Sequence, residues 1–279
     1  MKKKEIFSTD FLPNKQEKLF SYEQYFKLFT KLYKNNLLPN NILLSGQPGL
    51  GKSTFAYHFI NSILSNKEDY SYDFMNFTIN PLNRSFRLIN EQYHPNFYLI
   101  ENFVNKQSIS INQVKDMINY LNKTNYEKNI KFILIDNAEY LNLHSVNALL
   151  KIIEEHNLNT FVIIIHNSSI KLVETLKSRC IEFKIFFSNQ ERQKILENLL
   201  TYYDLKTNIN MLEKIKSFYD SPGIILNLVK LINEAAIDVS DPDLINVISN
   251  LMEYILRNKN NTNLNLLQNT IELFFFQEL

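Results

Sequence analysis

"GQPGLGKST", residues 46–54, holds three of the four glycines in a chain of 279 residues. At ordinary usage of about 7% a chain this long would carry roughly 20, so their crowding into six positions needs a local cause. Gly46-x-x-x-x-Gly51-Lys52-Ser53 matches the G-x-x-x-x-G-K-[ST] phosphate-binding pattern in full. Such a loop must aim several backbone N–H groups at one anion. That demands torsions and a close approach that side chains obstruct and glycine permits. Lys52 is expected to reach the β- and γ-phosphates of ATP, and Ser53 to ligate Mg2+. Gly46, Gln47, Pro48, Gly49, Leu50, Gly51, Lys52, Ser53 and Thr54 are therefore the candidate nucleotide-binding stretch.

The flanks supply the context that such a loop needs. "NILLS" (41–45) reads as a short buried strand, and Lys52 to Leu64 has helical periodicity through Phe55, Phe59, Ile60 and Ile63. The helix start adds a partial positive charge facing the loop. Upstream, Tyr22, Phe26, Phe29 and Tyr33 mark one face of another helix. Downstream, "NFYLIE" (96–101), "KFILID" (131–136), "TFVIIIHN" (160–167) and "CIEFKIFF" (180–187) read as strands. "INQVKDMINYLN" (111–122) and "LHSVNALLKIIEE" (143–155) read as helices between them. Near-continuous apolar strands are expected where helices cover both sheet faces, so the alternation predicts a three-layer α/β domain on a parallel sheet.

After about residue 188 only helical periodicity remains. Ser188 or Asn189 is the expected N-cap with Glu191 in the first turn, and "SPGIILNLVKLINEAA" (221–236) is a helix with Pro222 at its start. "VSDPD" (239–243) suggests a boundary before a final helical pair ending in "IELFFFQEL", whose aromatics are expected in a core or subunit interface. The expected organisation is a nucleotide-binding domain over 1–187, a helical lid over 188–238 and a C-terminal helical domain over 239–279.

Bulk properties exclude several classes. A net charge of +1 advertises no global field for nucleic acid, so any DNA contact must come from a local patch. Cys180 is the only cysteine, which rules out an internal disulfide or a multi-cysteine zinc site and fits a reducing, cytoplasmic setting. "MKKKEIFSTD" has no apolar run behind its lysines, and "FVIII" (161–165) is far short of a membrane span. No membrane association is expected.

"FILID" places Asp136 at the end of a strand beside the loop, where a carboxylate can hold Mg2+ through water. Many ring-forming ATPases carry a glutamate at the next position to deprotonate the attacking water. Here it is Asn137, whose amide accepts no proton at neutral pH. His166 has no acidic or cysteine partner at a recognisable spacing and reads as structural.

Three separated stretches together resemble the AAA+ clamp-loader subunits of bacterial DNA polymerase III, most closely the delta-prime subunits. They are "NNLLPNNILLSGQPGLGKSTFAYHFINSIL" (35–64), "KFILIDNAEYLNLHSVNALLKIIEE" (131–155) and the Ser-Arg-Cys motif in "KSRC" (177–180). The resemblance covers about residues 20–185 and implies an AAA+ (RecA-like) fold, with the helical remainder serving as lid and collar. It implies that Arg179 is an arginine finger projecting to the γ-phosphate held by a neighbouring subunit, which suits the bidentate fork of a guanidinium. Cys180 is then a small buried residue and no nucleophile. The resemblance also assigns Asn167 as the sensor-1 residue, although a strand-end turn explains an asparagine there equally well.

Two departures stand out. Gly223 is followed by Ile224, Ile225 and Leu226, so the lid lacks the sensor-2 arginine, and the zinc module of many relatives is missing. The implied protein binds ATP and Mg2+ weakly or statically, hydrolyses little or none, and sits in a hetero-oligomeric ring. With the other loader subunits, that ring would load the sliding clamp onto primer-template DNA. The alternatives are an ATP-hydrolysing AAA+ motor of the gamma/tau or helicase type, a P-loop kinase, and a scaffold that binds no nucleotide.

Overall fold

The computed structural model describes residues 11–102, 108–123, 130–154, 159–218, 220–237 and 244–258. "MKKKEIFSTD", "VSDPD" and "IELFFFQEL" lie outside the described residues. The chain divides into two compact units. Among the described residues, one gathers Leu12–Gln47 with Gly51–Phe186, and the other gathers Phe11 and Pro48–Leu50 with the chain between Phe187 and Asn258.

The first unit runs α1 (Glu23–Lys34), β1 (Asn41–Gly46), α2 (Lys52–Leu64), α3 (Arg84–Asn90), β2 (Phe97–Ile100) and α4 (Ile111–Lys123). It continues through β3 (Lys131–Ile135), α5 (Leu143–Glu154), β4 (Thr160–Asn167), α6 (Glu174–Lys177) and β5 (Ile181–Lys184). All neighbouring strands pair in parallel, in the order β2-β3-β4-β1-β5. β3, β4 and β1 are interior, so Ile42–Leu44 and Phe132–Ile135 are fully buried, which accounts for their unbroken apolar sequence. On one side of the sheet, Phe29 packs edge-on against Phe55 and Phe59 of α2, with ring centroids 5.1 and 5.3 Å apart. Elsewhere Val114 and Met117 of α4 join Val146 and Leu149 of α5 in one core with Ile133, Ile135 and Ile164. Each such side chain stabilises the fold by about 1.5–3 kcal/mol.

The last strand is shorter than the expected 180–187. Ile185 N–H still donates to Ser45 O at 2.8 Å. At Phe186 the Tyr25 hydroxyl takes over, accepting from its N–H at 3.1 Å and donating to its carbonyl at 3.2 Å. A side chain thus satisfies backbone groups that a longer edge strand would leave open.

The second unit contains α7 (Asn189–Tyr202), α8 (Ile209–Phe218), α9 (Pro222–Glu234) and α10 (Leu244–Asn258). Ser188 caps α7 in a reciprocal capping box with Glu191, and Pro222 opens α9. Leu196, Met211, Ile215, Val229, Val247 and Leu251 form its core.

Candidate nucleotide-binding site

β1 ends at Gly46 and α2 begins at Lys52, so the sheet delivers the loop to the N-terminus of a three-turn helix. Gly51 precedes that helix with φ +85°, a left-handed torsion that side chains rarely tolerate. Lys52 is only 6% exposed. Its ammonium donates to Gly46 O at 2.8 Å and Gln47 O at 2.6 Å, so the loop's own carbonyls hold the charge. Burial lowers its pKa to about 8, while the carboxylates of Glu139 and Asp136 work in the opposite direction.

Ser53 Oγ donates to Asp136 Oδ1 at 2.9 Å, which joins the two expected Mg2+ ligands across α2 and β3. Burial raises the Asp136 pKa, and the Ser53 hydrogen bond and the Lys52 charge partly offset it. A buried cation facing two carboxylates, with a hydroxyl bound to one of them, is a donor set that fits a phosphate chain and a hard divalent ion. Thr54 lies half-buried in the first turn of α2. Among the described residues no three His, Cys, Asp or Glu side chains gather into a metal-binding cluster.

Asn137 adopts φ 58°, ψ 58° and opens the 3-10 turn Ala138–Tyr140. Asparagine is one of the few residues that visit this region readily, so the position that lacks the water-activating carboxylate also has a backbone role. The sequence reading missed Glu139. Its Oε2 accepts from Asn167 N–H at 3.1 Å, tying the turn after β3 to the end of β4, and its charge acts on Lys52. The available signal was a second carboxylate three positions after Asp136.

Asn167 pairs in register with Gly46, at the base of the loop. Its side-chain oxygen accepts from Ser169 N–H at 3.0 Å, which is a turn interaction. His166 Nε2 lies 2.8 Å from Ile170 O, a local bond that suits a structural histidine. The Cys180 thiol is half-buried, and burial pushes its pKa up to about 11, so it carries no thiolate at neutral pH.

In the second unit, Ser221 Oγ donates to Pro48 O at 2.6 Å and Gly223 N–H to Gly49 O at 3.0 Å. Ile225 and Leu226 point into the core of that unit.

Arg179 stands apart from the phosphate loop. It precedes β5, and its carbonyl accepts from Asn41 Nδ2 at 3.4 Å, at the start of β1. The loop leaves from Gly46, at the opposite end of that strand. Five residue steps of parallel strand span roughly 17 Å, so Arg179 lies at the opposite end of the strands from the Lys52 loop.

A family model described as "DNA polymerase III, delta subunit" matches residues 21–188. The chain is 27% identical to DNA polymerase III subunit delta' of Pseudomonas aeruginosa over 140 residues, covering 50% of this chain and 41% of that protein. It is 26% identical to subunit delta' of Buchnera aphidicola subsp. Schizaphis graminum over 205 residues, covering 74% and 60%. These matches span less than two thirds of those relatives' own lengths. Similar solved structures include domain III of the Thermotoga maritima replication initiation protein DnaA, at 14% identity and a TM-score of 0.49, covering 89% of this chain and 98% of that one.

Proposed function

Because the chain belongs to the DNA polymerase III delta-subunit family, we propose that it serves as a delta-prime-like member of a clamp-loader ring, lending Arg179 to a neighbour while holding its own nucleotide statically. The observation that carries this reading is the length of β1 between Arg179 and the Lys52 loop. A guanidinium so placed has no access to phosphates in its own chain and is available to those of another.

Mg2+·ATP would supply the phosphates that Lys52 and the loop amides bind and the metal that Ser53 and Asp136 hold. Slow hydrolysis follows from two absences. Asn137 offers no general base, a contribution worth about 10²–10⁴-fold in rate. The helix that carries Gly223, Pro222–Glu234, contains no arginine to offset charge on the phosphates. The same reading takes 1–187 as the nucleotide-binding domain, 188–238 as the lid and 239–279 as the collar segment. The partners are the other loader subunits, with the sliding clamp and primer-template DNA engaged through the assembly in the cytoplasm. Among the described residues no helix is long and apolar enough to cross a membrane.

Steady-state ATPase of the purified chain tests the static reading. The expected turnover is below about 0.01 per second, well under the ordinary enzymatic range. A turnover of several per second that disappears in Lys52→Ala would instead make the chain a motor.

A further inference from the structure

We infer that Glu154 is the positioning residue for the Arg179 guanidinium, an inference that rests on Arg179 being offered to a neighbouring subunit. Arg179 Nε donates to Glu154 Oε1, and Nη1 donates to Thr175 O at 3.0 Å. Two acceptors on different elements therefore fix the guanidinium plane. A planar fork held through Nε and Nη1 presents the N–H donors of Nη2 to a second ligand, since neither bond uses that nitrogen. The Arg179 side chain remains 39% exposed, enough for an incoming phosphate to reach it.

Both acceptors are themselves held. Thr175 belongs to α6, and its carbonyl also accepts from Ser178 Oγ at 3.2 Å. Glu154 is the last residue of α5, and Asn41 Nδ2 donates both to the adjacent Ile153 carbonyl, at 3.1 Å, and to the Arg179 carbonyl. One asparagine at the start of β1 thereby sets the end of α5 against the turn that carries Arg179. Lys177, two positions before Arg179, is itself engaged by Glu182 at 3.5 Å.

The pair is too exposed to matter much for stability. Glu154 is 53% exposed, and ion pairs in that setting add little to folding. Its consequence is orientation. A finger acts chiefly on charge that develops in the transition state, so a misaimed guanidinium lowers kcat and leaves KM for ATP almost unchanged.

The experiment uses the complex that co-purifies with this chain, carrying the native chain, Glu154→Ala, Glu154→Gln or Arg179→Ala. The expected result is a roughly 3- to 30-fold fall in kcat for Glu154→Ala at unchanged KM, short of the roughly 10²-fold that a 1 Å misplacement can cost. Glu154→Gln keeps an acceptor oxygen for Nε and is expected to recover most of the rate. Unchanged or raised kcat in Glu154→Ala, with Arg179→Ala strongly impaired, overturns the positioning role; a raised rate would make the pair a brake. Full activity in Arg179→Ala removes the trans-finger reading and this inference with it.

Discussion

Lys52 carries the most informative electrostatics of the candidate site. Its ammonium is buried against two loop carbonyls, and burial brings its pKa down to about 8. A phosphate chain against it would favour the charged form and raise that pKa. Below pH 7 the free lysine already holds its proton and adds no pH dependence to binding. Above pH 8 the free lysine is largely neutral, so binding must take up a proton and affinity falls as pH rises. Between pH 7 and 9.5 the expected loss in Mg2+·ATP affinity is roughly 30-fold, with proton uptake approaching one per site. Titration calorimetry in two buffers of different ionisation enthalpy reads both quantities. Affinity that stays constant over that range would show that Lys52 does not meet the phosphates.

Among the elements, α9 brings its backbone against Gly49. Gly223 N–H donates to Gly49 O, and a Cβ at Gly223 would stand 2.6 Å from that oxygen. Alanine gains up to about 1 kcal/mol of helix propensity over glycine. Pressing a methyl group into a backbone carbonyl costs about 1–3 kcal/mol. Crowding is therefore expected to win, with Gly223→Ala lowering the urea midpoint; a raised midpoint would mean that the loop yields freely. Elements differ in how plainly the sequence announced them. Runs such as Phe132–Ile135 are apolar because both sheet faces are covered, and α2 begins where Gly51 must turn, so both were readable. α3 was not. Its N-cap Asn83 accepts from Phe86 N–H at 2.6 Å and is held by Asn61 Nδ2 at 3.0 Å. Polar contacts between residues 22 positions apart leave no periodic trace. The same reason hid Glu139 and Glu154, whose partners Asn167 and Arg179 lie 28 and 25 positions away. Arg179 itself needed the family resemblance, because one arginine before a strand has no spacing of its own.

For the molecule as a whole, acid stability turns on histidines sealed in the neutral form. His58 is fully buried, with Nε2 3.0 Å from Gln16 O and Nδ1 3.0 Å from the Tyr72 hydroxyl. A carbonyl only accepts, so Nε2 carries the proton and Nδ1 accepts from tyrosine. Burial lowers the His58 pKa to about 3. His94 is arranged alike. Asn96 N–H donates to its Nδ1 at 3.1 Å, and Ser85, whose hydroxyl proton goes to Glu68, faces its Nε2 at 3.1 Å. Burial lowers its pKa as well, opposed by Glu68 and reinforced by Arg84. Because the folded values lie below the unfolded value near 6.5, the unfolded chain binds these protons first as pH falls. Neither histidine affects stability above about pH 7, and both destabilise progressively below it. His58 alone is expected to remove about 2 kcal/mol between pH 7.5 and pH 5. The raised pKa values of Asp136 and Glu101 act in the opposite sense, since the folded state then takes up protons first. A comparison within one chain isolates the histidine. Urea unfolding of the native protein and of His58→Gln, each at pH 7.5 and pH 5, is expected to show a pH-dependent loss about 2 kcal/mol smaller in the variant. Equal losses in the two proteins would mean that His58 is protonated in the fold at pH 5, and that the Gln16–His58–Tyr72 bonds rearrange to accept the charge.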